Sequence, residues 1–286
     1  RLTVRAILFG LSTLCGFGRR GWFIPYRYAN SLPGPGARGP YPAIADLLHR
    51  REPAFAELLA AIEGHRDELL AIGAAAPPAP RWTQDWFPRL DAAAAYALVR
   101  RERPRRIVEV GSGHSTRFLA RAVADGRLAT RITAIDPAPR AGIAGLPVEF
   151  VARTLHEAGD APFAGLGTGD MLFIDSSHIL MPGSDVDHLF GHVLPLLPAG
   201  ALVHVPDIFL PEDYPAAWAW RSYNEQLGLL GFILGGGWRV EFASRYVTTR
   251  MAAHLQGGIL AELPLPPGAF ESSLWLRKLQ PEAEKA

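Results

Sequence analysis

Apolar and polar positions change rhythm near residue 105. Before it, Leu47, Leu48, Phe55, Leu58, Leu59, Ile62, Leu69 and Leu70 recur at spacings of three and four, which predicts helix over about 43–72. "LDAAAAYALVRR" predicts a second helix leading straight into a strand. From Arg106 onward, short β-branched and apolar runs alternate with longer amphipathic stretches. Strands are expected at "RIVEV" (106–110), "RITAID" (131–136), "VEFVA" (148–152), "DMLFID" (170–175) and "ALVHV" (201–205). Helices are expected over 115–124, near 138–144, near 155–165, over 185–197, and in one long run over about 216–234. "WRVEFA" and "SSLWLRKL" read as two late strands. Apolar strands alternating with helices predict an α/β fold: a seven-stranded, mostly parallel sheet with helices on both faces.

Breakers divide the chain. "NSLPGPGARGPYP" is rich in Gly and Pro and reads as loop, and "GAAAPPAPRW" reads as a linker. Residues 1–80 are therefore expected to form an N-terminal extension, a lid, docking segment or dimer arm, ahead of an α/β domain over 81–286. The apolar opening, "LTVRAILFGLSTLCGFG", is interrupted by Arg5, lacks a small-residue cleavage pattern and falls short of the ~20 apolar residues of a membrane span. It is expected to be a docking or homodimer contact, with peripheral membrane contact as the weaker alternative and no stable membrane insertion.

Composition narrows the function. Of the 286 residues 49% are hydrophobic and 20% charged, as in a globular protein. A net charge of +1 provides no field for nucleic acid. The basic run "RRERPRR" has no interleaved aromatics and reads as a solvated helix end. A single cysteine, Cys15, excludes an intramolecular disulfide and a cysteine-based zinc site, and suggests a reducing, cytoplasmic compartment.

The candidate chemistry begins at "RRIVEVGSGHSTRFLARAV". Gly111 and Gly113 sit between a strand and a helix, where bare backbone lets a ligand approach and the helix start offers free N–H groups. The dinucleotide pattern G-x-G-x-x-G is incomplete, since Thr116 stands at its third glycine. Asp136, at the end of the second strand, is placed to accept hydrogen bonds from a ribose diol.

"EVGSGHST", "AIDP", "LFIDSSH" and "HVPDIF" resemble the class I S-adenosylmethionine-dependent methyltransferases, in particular a bacterial group associated with glycan and natural-product biosynthesis. The resemblance spans roughly residues 81–279 and implies a Rossmann-like fold and S-adenosyl-L-methionine as cofactor. It implies that Gly111, Ser112, Gly113 and Ser115, the last in place of the family's usual third glycine, support the methionine moiety. It further implies that Asp136 holds the ribose and that Glu109 acts indirectly near the amino group.

The ends of the fourth and fifth strands bring Asp175, His178, His204 and Asp207 into one neighbourhood. His178 is a candidate general base for an acceptor hydroxyl, because an imidazole titrates near neutrality. Asp175, His178 and Asp207 also match the layout of metal-dependent members of the superfamily, so Asp175 and Asp207 are candidate ligands of a divalent cation such as Mg²⁺. A structural role is the third reading, favoured for His204. Ser184 or Asp185 suits a helix cap. Trp86, Tyr223, Asn224 and Glu225 are candidates for the acceptor pocket, as is Trp82. The expected activity is O-methylation of a small-molecule or sugar hydroxyl. The rivals are an NAD(P)-linked oxidoreductase, disfavoured by the missing third glycine, and a non-catalytic cofactor-binding protein on the same fold.

Overall fold

A computed structural model describes residues 4–34 and 36–280. Arg1, Leu2 and Thr3, the last two belonging to the apolar opening, Pro35 of the Gly/Pro loop and residues 281–286 of the expected second domain lie outside the described residues. Helix α1 (Val4–Leu14) is followed by a long irregular arm, then α2 (Pro42–Glu63), α3 (Arg66–Leu70) and α4 (Arg89–Glu102). The alternating part runs β1 (Arg106–Val110), α5 (His114–Asp125), β2 (Arg131–Ile135), β3 (Glu149–Val151), α6 (Leu155–Ala158), β4 (Met171–Ile174), α7 (Asp185–His188) and β5 (Leu202–Val205). It closes with α8 (Glu225–Leu234), β6 (Trp238–Ala243), α9 (Ser244–Arg250), α10 (Gly258–Glu262) and β7 (Leu274–Lys278).

All seven expected strands join one sheet, in the order β3-β2-β1-β4-β5-β7-β6. Strands β1 to β5 pair in parallel, and β7 inserts antiparallel between β5 and β6. The order reverses direction between β1 and β4. In open α/β sheets the ligand crevice lies at the carboxyl ends of the strands at such a reversal. The turn after β1 and the end of β4 are therefore the two edges of one crevice.

Strand β4 is buried along its whole length, and β1 from its second residue, because helices cover both faces. Ala92 to Ala95 of α4 are fully buried, and their small side chains let this helix lie close among its neighbours. α4 packs against α5 and α2, and α2 packs against β6, where the rings of Phe55 and Phe242 meet edge-on at 5.7 Å. The start of α4 is latched to the chain before β7. Asp91 accepts the N–H groups of Ser272 and Ser273 at 3.0 Å each, and Arg89 pairs with Glu271 at 2.9 Å.

Several helices are shorter than periodicity suggests. The 138–144 stretch is irregular, since Pro137, Pro139 and Gly142 interrupt it. The expected 185–197 helix is α7, then a wide turn over Leu189–Val193, then a 3-10 turn at Leu194–Leu196, where Pro195 has no N–H to continue the ladder. The expected 216–234 helix is a 3-10 turn (Ala216–Arg221) and α8, parted by Ser222 in the left-handed conformation at φ 57°. That break lays residues 223–225 beside the loop after β4.

Candidate active site

The turn after β1 is fixed from two sides. The Asp175 N–H donates to the Val110 carbonyl at 2.8 Å, and the Gly111 N–H donates to the Ile135 carbonyl at 2.9 Å. Gly111 has φ +84°, and a Cβ there would lie 2.0 Å from the Asp175 carbonyl oxygen. Glycine is thus required by the neighbouring strand end as well as by the bend. Gly113, at φ +154°, is required by its own backbone conformation, because a Cβ there would meet no atom closer than 3.6 Å.

Glu109 lies beneath this turn, fully buried. The hydroxyls of Ser115 and Thr116 donate to its two carboxylate oxygens, and the Gly113 N–H donates to Thr116 Oγ1 at 2.9 Å. Thr116, standing where the dinucleotide pattern has its third glycine, ties the turn to the strand below it. Burial pushes the Glu109 carboxyl up to about 8, against the pull of the two hydroxyls. Asp136 braces the turn from the side. Its Oδ2 accepts the Ser112 N–H at 2.8 Å and the Ser112 hydroxyl at 3.0 Å, while Oδ1 accepts the Ala138 N–H at 2.8 Å.

Above the turn opens a cleft of about 530 Å³. Gly111, Ser112, Gly113, Ser115, Asp136 and Asp175 line it, with Trp22 and Trp86 among its walls. Glu109 does not line it. A smaller compartment of about 200 Å³ shares Trp86, Arg140 and Asp175 with the cleft and reaches His178, Asp207 and Arg221.

Between the ends of β4 and β5 a histidine is surrounded by three carboxylates. His178 is buried, and its Nδ1 is hydrogen-bonded to Glu225. Its Nε2 stands 3.3 Å from Asp175 Oδ1 and 3.7 Å from Asp207 Oδ2. Burial favours neutral imidazole, but the carboxylates of Glu225, Asp175 and Asp207 outweigh it and hold the pKa well above the usual value. Withdrawal from water pushes the Asp207 carboxyl up to about 6, with His178 pulling the other way. His178 and Asp207 both have left-handed backbones, at φ 61° and φ 58°. Such conformations are strained for residues bearing a Cβ and concentrate at functional sites.

The four acceptor-pocket candidates lie in different settings. Trp86 borders both compartments, with Arg140 stacked 4.5 Å over its ring. The Tyr223 ring lies 4.4 Å from that of His178. Asn224 clamps the loop after β4: its N–H donates to the His178 carbonyl at 3.1 Å, and its side chain exchanges hydrogen bonds with the backbone of Leu180. Glu225 is fully buried behind His178 and borders neither compartment. Trp82 is in the core, donating to the Leu69 carbonyl at 3.1 Å. His204 is buried between Phe173 and Trp275, with Nε2 paired to Ser273 Oγ at 2.8 Å. Asp185 holds the β4 loop by accepting the Ser177 N–H at 2.9 Å, and Ser184 caps α7. Sequence reasoning missed Arg140 and Arg221, whose signal is weak: Arg140 is an isolated arginine in an irregular segment, and Arg221 is the last residue of a 3-10 turn.

The donor set does not suit a divalent cation as it stands. Asp175 and Asp207 flank His178 Nε2, so an imidazole fills the place between them. Pro206, beside Asp207, adds no ligating side chain. Among the described residues no three His, Cys, Asp or Glu side chains are grouped to hold a metal ion. A methionine-bearing nucleoside is better matched, because the cleft has bare backbone on one wall and a carboxylate at the end of β2.

Residues 108–208 match a family model described as a methyltransferase domain. No curated protein matches the chain. Among solved structures, it is similar to the O-methyltransferase TomG from Streptomyces achromogenes, solved with S-adenosylmethionine, at 20% identity over 78% of this chain and 90% of that one, with a TM-score of 0.39. It is also similar to the methyltransferase PaMTH1 from Podospora anserina, solved with S-adenosylhomocysteine, at 14% identity over 91% and 100%, with a TM-score of 0.42. Such distant likenesses leave the chemistry to this chain's own residues. The matched stretch runs from within β1 to just past β5, inside a seven-stranded sheet with one antiparallel strand that has the Rossmann-like α/β fold.

Proposed function

We propose that the protein transfers a methyl group from S-adenosylmethionine to the hydroxyl of a small molecule or sugar. The observation that carries this reading is the junction of two compartments at Asp175. One compartment has the glycine turn and Asp136, and the other has His178 and Asp207. When bound, S-adenosylmethionine supplies a methyl carbon made electrophilic by its sulfonium.

The chain's own residues have three tasks. Ser112 and Asp136 hold the turn against which the methionine end rests, and the Asp136 carboxylate faces the ribose hydroxyls. Trp86 and Arg140 stand where the compartments meet and align acceptor with donor, which is the main requirement of an in-line displacement. The His178 cluster receives the acceptor's proton. His178 carries a proton of its own in the resting state, so the role assigned to it from sequence divides. Asp207, pushed up to about 6, is the group whose basicity suits a base near neutral pH. The imidazolium, held by Glu225, steadies the charge that develops.

The test is calorimetric titration with S-adenosylhomocysteine, followed by mass spectrometry of a panel of hydroxylated acceptors incubated with S-adenosylmethionine. Binding in the micromolar range and a gain of one methyl on at least one acceptor are expected. Absence of both would overturn the proposal.

A further inference from the structure

The N-terminal arm has a composition unlike the rest of the chain. The first 45 residues contain six arginines and no Asp or Glu, whereas residues 46–286 have five more acids than Lys and Arg. Among the described residues, 13 of the 21 large apolar side chains that stand exposed lie between Val4 and Leu32. On α1 they are ordered. Val4, Ile7, Leu8, Leu11 and Leu14 follow spacings of three and four and share one side of the helix, yet each is between 49% and 75% exposed. Arg5, Phe9 and Thr13 take the opposite side. Downstream, Trp22, Phe23 and Tyr26 extend the exposed apolar surface.

The arginines lie over aromatic rings. Arg5 and Arg20 stand 5.1 and 5.7 Å from the Phe9 ring centre, Arg19 stands 5.3 Å from that of Trp22, and Arg27 5.6 Å from that of Tyr28. Guanidinium groups beside amphipathic aromatics suit the boundary between headgroups and acyl chains. No helix among the described residues is long and apolar enough to cross a membrane. A helix of 11 residues with an apolar stripe can lie in the surface plane.

We infer that the arm over residues 4–32 docks the protein on an anionic lipid bilayer, with the Val4-to-Leu14 stripe in the acyl boundary and Arg19, Arg20 and Arg27 against the headgroups. Charge selects this occupant over the arm of a second copy, which carries no Asp or Glu to meet these arginines. A two-fold pairing of arms would set arginines against arginines. An anionic surface satisfies the apolar stripe and the unbroken positive charge together.

Vesicle flotation with the full chain tests the inference. Phosphatidylcholine vesicles containing about 30% phosphatidylglycerol are compared with pure phosphatidylcholine, at low salt and at 0.5 M NaCl. Recovery with the anionic vesicles is expected to exceed that with neutral ones at least tenfold and to fall with salt. Leu8→Glu with Leu11→Glu should reduce flotation to the neutral-vesicle level. Arg19→Gln with Arg20→Gln, which leaves the stripe intact, should weaken binding roughly 20-fold. Thermal unfolding at the wild-type temperature checks that each variant is folded. The inference is overturned by wild-type flotation that is absent or equal on both vesicle types. It is equally overturned if sedimentation shows a dimer that the Leu8/Leu11 variant dissociates, since a second copy would then cover the stripe.

Discussion

The carboxylate of Asp136 grips Ser112 twice, accepting its backbone N–H at 2.8 Å and its hydroxyl at 3.0 Å through the same oxygen. The acid at the end of β2 therefore shapes the turn, in addition to the ribose contact proposed for it. Asp136→Ala is expected to weaken S-adenosylhomocysteine binding about 100-fold, through loss of charged hydrogen bonds to the turn and the ribose. Ser112→Ala keeps the backbone N–H and should cost less than about tenfold. Calorimetric titration of both variants separates the two contributions, and equal losses would assign the whole effect to the turn.

Gly111→Ala places a Cβ 2.0 Å from the carbonyl oxygen of Asp175, whose own N–H is bonded to the Val110 carbonyl at the end of the β1–β4 pairing. Neither strand can retreat without breaking parallel ladder bonds. The variant is expected to lose at least ~3 kcal/mol of stability from overpacking and the disfavoured φ. Chemical denaturation measures it, and a loss below ~1 kcal/mol would show that the strand end gives way.

Activity should depend on pH through Asp207. Its carboxyl is pushed up to about 6, and a base must be ionised, so kcat/KM is expected to rise as pH passes through about 6 and to level off above 7. Asp207→Asn should remove that limb and lower kcat roughly 1,000-fold with cofactor affinity unchanged. A retained acidic limb in the variant would move the base elsewhere in the cluster.

Stability should depend on pH through His204. Burial lowers its pKa to about 3, so the folded protein keeps it neutral while the unfolded chain takes up a proton near pH 6.5. Between these values the unfolded state binds more protons, and stability falls as pH falls. Going from pH 7 to pH 5 should cost about 2 kcal/mol from this residue. Urea denaturation at the two pH values should show a smaller difference for His204→Phe than for wild type.

The strands were legible because each is short, apolar and bounded by breakers, and because a buried parallel sheet leaves little room for polar residues. The helices after β4 were less so. Apolar periodicity continues through Pro195 and through Ser222, but backbone geometry does not. The glycine turn could be found from local spacing, while its tie to Asp175 depends on which strands are neighbours. Glu225 is the clearest case of hidden information. It lies 47 residues beyond His178, and nothing nearby in the sequence marks it as the partner of Nδ1. The Asp91 latch to Ser272 and Ser273 spans an even longer separation and was invisible for the same reason.

The left-handed backbones of His178 and Asp207 have a consequence for the protein's history. Glycine at either place would relax the loop, so a drift toward greater robustness is always open there, and it would discard the side chains that give the crevice its charge. Where homologous chains have lost their chemistry, these two positions are where that surrender should first be seen.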